Sequence, residues 1–213
     1  MLQGLKARWM KLANYIDPHP DMKVMEKWWQ KLVEAYSQPH RHYHTLEHVA
    51  ACLAELDRVQ ESFACPQVAE FALWFHDAVY EIGAIDNELR SNTMAKQCAR
   101  ELGLGDGFIG LTEDYIMITD YQNLPESSPD SALKVADIDC SILGQDEKTF
   151  DRYEQGIRAE YGQYSDADYN NGRRMFLMKL LTNSMIYHTP DFQELYEAKA
   201  RANIARLIAR LSA

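Results

Sequence analysis

Apolar residues return every three or four positions along almost the whole chain, and strict alternation of apolar with polar residues is scarce. That spacing gathers them into one stripe of a helix but would scatter them over both faces of a strand, so the 213-residue sequence points to an all-α fold. In PDMKVMEKWWQKLVEAYS the stripe is Met25, Trp28, Trp29, Leu32 and Val33. In PQVAEFALWFHDAVYEI it is Val68, Phe71, Ala72 and Phe75. Asp86 is placed as the N-cap of NELRSNTMAKQCAREL, and Gly103 marks its end. MLQGLKARWMKLANYI, HTLEHVAACLAELDRVQESF and GFIGLTEDYIMITD read as further helices, as do residues 131–143, 147–161, 166–184 and 191–211. YQNLPESSPDS is the one long turn-rich loop. The expectation is roughly eight to ten helices in a single domain over residues 1–213. Its core spans 36–184, with N-terminal helices and a C-terminal helix packed on it.

A chain of this length buries about 70% of its unfolded surface and needs neither metal nor disulfide merely to fold. Any metal would be there for chemistry. Cys52, Cys65, Cys98 and Cys140 are scattered with no Cys-x-x-Cys pair, as expected of buried, reduced thiols in a cytoplasmic protein. The net charge of −10, with no Lys/Arg-dense face, argues against a nucleic-acid polymer or an anionic membrane as partner. No run approaches the ~18 apolar residues of a membrane span, and the first helix lacks the apolar core of a signal peptide. Monomer and homodimer are both compatible with this surface.

Histidines crowd one place. SQPHRHYHTLEHV holds His40, His42, His44 and His48. His44 and His48 are four apart, which puts them on one face if both are helical. FHDAVY ends an apolar face in His76–Asp77. In ALKVADIDCSILG a rotation of about 100° per residue sets Asp137 with Lys134 and Ser141 in the polar sector. Asp139 falls in the apolar sector beside Val135, Ile142 and Leu143, where burial obliges a carboxylate to find a partner. Three helices thus offer His48, His76, Asp77 and Asp139, a hard-to-borderline set suited to Mn, Fe, Co, Ni, Zn or Mg. Asp137 stays open as an alternative to Asp139.

The order His … His-Asp … Asp on helices resembles the HD-domain superfamily of metal-dependent phosphohydrolases. RHYHTLEHV, FHDAVY, DNELRS, DIDCSILG, IRAEY and ARANI resemble one branch of predicted HD phosphohydrolases, from about residue 36 to the C-terminus. The resemblance implies an HD-type helical globule in which His48, His76, Asp77 and Asp139 hold one divalent ion. YHTLEH is also similar to the Tyr-His-x-x-x-His of cyclic nucleotide phosphodiesterases. That likeness implies His48 as ligand and His44 as the general acid protonating the leaving oxygen, a role suited to a side chain that titrates near neutrality. Tyr80 stands where those enzymes carry a further histidine, so one ion is expected, with a second possible through Glu81, Asp86 or Glu88.

The implied substrate is a small phosphorylated metabolite of the nucleotide class, as monoester or diester. Arg41, with its bidentate fork, and Tyr43, Asn87 and Glu88 are candidate substrate contacts. Against these stand a surface ion pair for Arg41 and helix capping for Asn87, Glu88 and Ser91. His40 and His42 are expected on a solvated loop, Trp28 and Trp29 in the core, and Arg158 and Glu160 in a structural network. Lys199, Arg201, Arg206 and Arg210 are placed on a solvated face. Two rival functions keep the same helices: a di-iron oxygenase, and a nucleotide-binding sensor without catalysis.

Overall fold

Short local signals start or stop several of the helices. The computed structural model describes residues 1–17, 19–121 and 128–212, and among these it contains ten helices and no strand. The all-α expectation holds. The chain divides into two compact units, Met1–Val135 and Ala136–Ala213, with the boundary inside one helix.

The first unit holds α1 (Leu2–Ile16), α2 (Met22–Tyr36), α3 (Leu46–Val59), α4 (Pro66–Phe75), α5 (Asn87–Glu101) and α6 (Asp106–Met117). Asp21 caps α2 by accepting from the amides of Lys23 and Val24, and Thr45 caps α3 through Glu47. Pro66 opens α4 at a position that needs no amide hydrogen. Gly103, at φ 73°, closes α5 in the left-handed conformation a glycine tolerates. Asp86 does stand before α5, but its side chain makes no cap there. Residues 122–127 of the expected loop lie outside the described residues.

α4 packs against α1, α3, α5 and α6, which is why its apolar residues run all round it rather than along one stripe. Val68, Ala69 and the run Phe71–Phe75 are all buried. Trp9 lies 5.7 Å edge-on to Trp74 and 6.0 Å from Phe75, and Trp28 and Trp29 close the cluster as core residues. The Trp9 indole donates to the Met25 carbonyl, and the Tyr36 hydroxyl to that of Trp74. The next residues, His76 and Asp77, therefore leave a rigid helix end held on several sides.

α7 (Asp130–Cys140) carries the boundary between the units. The second unit continues through a 3-10 turn (Ser141–Gly144), α8 (Glu147–Glu160) and α9 (Asp166–Thr182). Its last helix, α10, joins Pro190–Phe192, a π-turn at Gln193–Glu197 and Ala198–Leu211. A Cβ on Gly144 would come within 2.8 Å of the Tyr196 carbonyl oxygen, so the 3-10 turn packs on the π-turn only because that residue has no side chain. Half-buried Arg173 pairs with the buried Glu154 and donates to the Tyr153 hydroxyl. Arg158 ties the end of α8 to Asp166, as a structural network requires. On the expected solvated face Lys199 and Arg210 are exposed and Arg201 and Arg206 half-buried; Arg201 bonds Glu197, and Arg206 and Arg210 share Asp151.

Candidate metal centre

The end of α4 and the first turn of α3 bring three ligand atoms together within the first unit. His48 Nε2 and His76 Nε2 are 3.0 Å apart. Asp77 Oδ2 lies 3.1 Å from His76 Nε2 and 3.5 Å from His48 Nε2. Donor atoms held about 2.1 Å from a divalent ion stand roughly 3.0 Å apart at neighbouring octahedral positions and about 3.4 Å apart in a tetrahedron. The triangle fits either geometry, and these residues are suited to holding such an ion.

His76 Nδ1 lies 2.9 Å from the Leu73 carbonyl oxygen, an acceptor, which keeps a proton on Nδ1 and leaves Nε2 as the nitrogen that would hold an ion, giving up its own proton to do so. Burial opposes charge on Asp77, yet the nearby imidazoles of His76 and His44 and hydrogen bonds from His48 and His76 hold its carboxyl well below the usual range. It is ready as an anionic ligand at neutral pH.

Cys52 belongs to the same cluster. Its Sγ is 3.7 Å from both ring nitrogens of His48, and ligand atoms of His48, Cys52 and His76 all lie within 4.8 Å of one another. A buried His/Cys/His group with an aspartate beside it can hold a metal. As a buried thiol Cys52 is expected in the core, and the structure sets it beside His48 as well. The signal was present: His48 and Cys52 are one helical turn apart on α3.

His44 is not on the face of α3. That helix begins at Leu46, and His44 lies in the turn before its Thr45 cap. It still approaches the cluster, with its ring centroid 5.9 Å from that of His48 and stacked on Tyr80 at 3.9 Å. Tyr43 lies 4.8 Å from the His48 ring. Tyr80 thus supports the His44 ring.

The expectation that Arg41 reaches for phosphate is corrected by its surroundings. The side chain is buried, and it donates to the carbonyls of Asp77 at 2.6 Å, Ala78 at 3.0 Å and His44 at 3.2 Å, and to Gln38 Oε1. It clamps the His44 turn to the Asp77 turn. Asn87 is likewise committed to backbone, accepting from the Glu81 amide and donating to its carbonyl. Ser91 does the same for Val79. Glu88 is half-buried at the start of α5. Glu81 and Asp86, considered for a second ion, are both exposed and face Arg90. His40 and His42 are exposed, as expected, and His40 bonds the Tyr80 carbonyl.

In the second unit the two aspartates of α7 reverse the burial assigned to them. Asp137 is buried, and its carboxylate accepts from the amides of His188 and Thr189 and from the Thr189 hydroxyl at 2.6–2.8 Å. Burial pushes its carboxyl up from the usual value despite those bonds. Asp139 is half-buried in the last turn of α7. Among the described residues no helix is long and apolar enough to cross a membrane. Set beside protein-family models, curated proteins and solved structures, the chain matches none of them.

Proposed function

We propose that this protein is a metal-dependent phosphohydrolase of the HD type, acting on a small phosphorylated metabolite with a nucleotide as the favoured class. The convergence of His48 Nε2, His76 Nε2 and Asp77 Oδ2 within 3.5 Å carries the reading. Asp139 is proposed as a further carboxylate ligand, on the sequence pattern that it shares with HD-type proteins. A divalent ion held there would acidify a water molecule and offset charge on a phosphoryl group. The thiol of Cys52 beside His48 favours a borderline ion such as zinc, iron or cobalt over magnesium.

The chain's own residues supply the rest. His44, stacked on Tyr80 and one ring away from His48, is the proposed proton donor to the leaving oxygen. Arg41 fixes the distance between donor and ligand by holding the carbonyls of His44 and Asp77 together. Phosphoryl transfer depends mainly on positioning, charge neutralisation and a proton for the leaving group, and these residues provide positioning and the proton.

The test is a hydrolysis screen of phosphorylated metabolites with several divalent ions and a chelator control, read together with metal content. His48→Ala should abolish metal uptake. His44→Ala should keep the metal and lose at least about 100-fold in turnover, the scale of general acid catalysis. Full activity in either variant overturns that residue's role, and no hydrolysis with any ion overturns the function.

A further inference from the structure

Helix α9 buries one side within its own unit and carries exposed methionines on the opposite side. Tyr169 and Leu177 are buried, and α9 packs on the Ala198–Leu211 segment of α10. On the far side, Asp168, Gly172, Met175, Lys179 and Thr182 follow at spacings of three and four, Met178 lies beside them one turn from Met175, and every one is exposed. Met175 is 63% exposed and Met178 48%, with Phe176 at 38% on the flank. Exposed apolar side chains in a row mark a contact surface, and methionines suit one because they adapt to what they meet.

We infer that this outer face joins two copies of the chain, antiparallel, about a two-fold axis at Met175. Charge favours a second copy as the occupant. The exposed face is acidic towards its start, at Asp168, and basic towards its end, at Lys179, so reversing one copy sets opposite charges against each other. In that arrangement Met178 of each copy lies over Gly172 of the other. A side chain added at Gly172 would meet nothing within 4 Å, so the space above it is open to receive the methionine. Lys179 faces Asn171 across the axis and reaches Asp168 one turn further on. α9 is about 25 Å long, so the contact is at the small end for a specific interface and should be reversible.

Sedimentation equilibrium of the full chain tests this. The expected result is a concentration-dependent rise towards twice the monomer mass by about 200 µM. Met178→Glu should abolish it while leaving helix content and melting unchanged. Asp168→Lys or Lys179→Asp alone should weaken association about tenfold, and the double swap should restore it. Restoration separates pairing across the axis from loss of the helix cap, because Asp168 also accepts from Ser165 and the double variant still lacks that bond.

Placed in a Cys65→Ser background, since Cys65 is an exposed thiol, Met175→Cys should form an intermolecular disulfide under copper-phenanthroline and oxygen. Thr182→Cys should not, because its two copies would lie about 20 Å apart. A wild type that stays monomeric, association unaffected by Met178→Glu, or crosslinking at position 182 in preference to 175 would each overturn the inference.

Discussion

Replacing Arg41 by Met removes the guanidinium while keeping much of the apolar stem, and it separates two roles for this residue. The structure commits the group to three backbone carbonyls, those of His44, Asp77 and Ala78, and to the Gln38 side chain. Hydrogen bonds from a charged donor contribute about 1.5–3 kcal/mol each, and a carbonyl left buried without a partner costs about 1–3 kcal/mol. Some of these carbonyls will recruit water in the variant, so the sum should fall to roughly 3–5 kcal/mol. For a chain of this size that is a drop on the order of 10 °C in melting temperature. The same change should weaken metal binding, because Asp77 would lose the clamp on its own carbonyl. Arg41→Lys should recover little, since an ammonium lacks the planar fork. The assays are differential scanning calorimetry and metal titration. A variant that melts within a degree or two of wild type, takes up metal normally and shows only a raised KM would refute the clamp and return Arg41 to phosphate binding.

The acid-stability profile follows from Asp77. Its folded pKa lies below the unfolded value of about 3.9, so it adds stability above that pH which is lost as pH falls through the folded value. The urea midpoint of metal-free protein should therefore decline below about pH 4, with a shallower decline in Asp77→Asn; equal slopes would count against the depressed carboxyl. Asp137→Ala strips the acceptor from two amides and a hydroxyl and should cost about 3 kcal/mol in denaturant unfolding, with metal content unchanged. Loss of metal without loss of stability would instead make Asp137 a ligand. Gly144→Ala drives a methyl group against the Tyr196 backbone and should destabilise by about 2–3 kcal/mol, an expectation that a wild-type unfolding curve would defeat.

The helices were legible because helix periodicity is local, as with Met25, Trp28, Trp29 and Leu32 on α2. The His48, His76 and Asp77 convergence was legible in type, since imidazoles next to a carboxylate at the end of an apolar helix are costly without a shared purpose. What failed depended on distant partners. The helical wheel put Asp137 in solvent because it could not foresee His188 and Thr189, some fifty residues on, supplying three hydrogen bonds to a buried carboxylate. Arg41 looked available for phosphate because the carbonyls that consume it are 36 and 37 residues away. The displacement of His44 from α3 was a local miss: Thr45 is a ready N-cap that could have been read directly.

The π-turn in α10 has a consequence for insertions and deletions. A π-turn accommodates one residue more than an α-helix needs over the same rise, and everything beyond it is rotated accordingly. Phe192 packs inward before the slip, Tyr196 within it, and Ala200, Ile204 and Leu207 after it. Removing one residue between 193 and 197 would leave a smooth helix but swing the Ile204–Leu207 stripe about 100° around its axis. Helix continuity and core orientation are therefore independent variables in this segment, and a shortened chain would be fully helical in circular dichroism while its last turns, about four of them, face the wrong way.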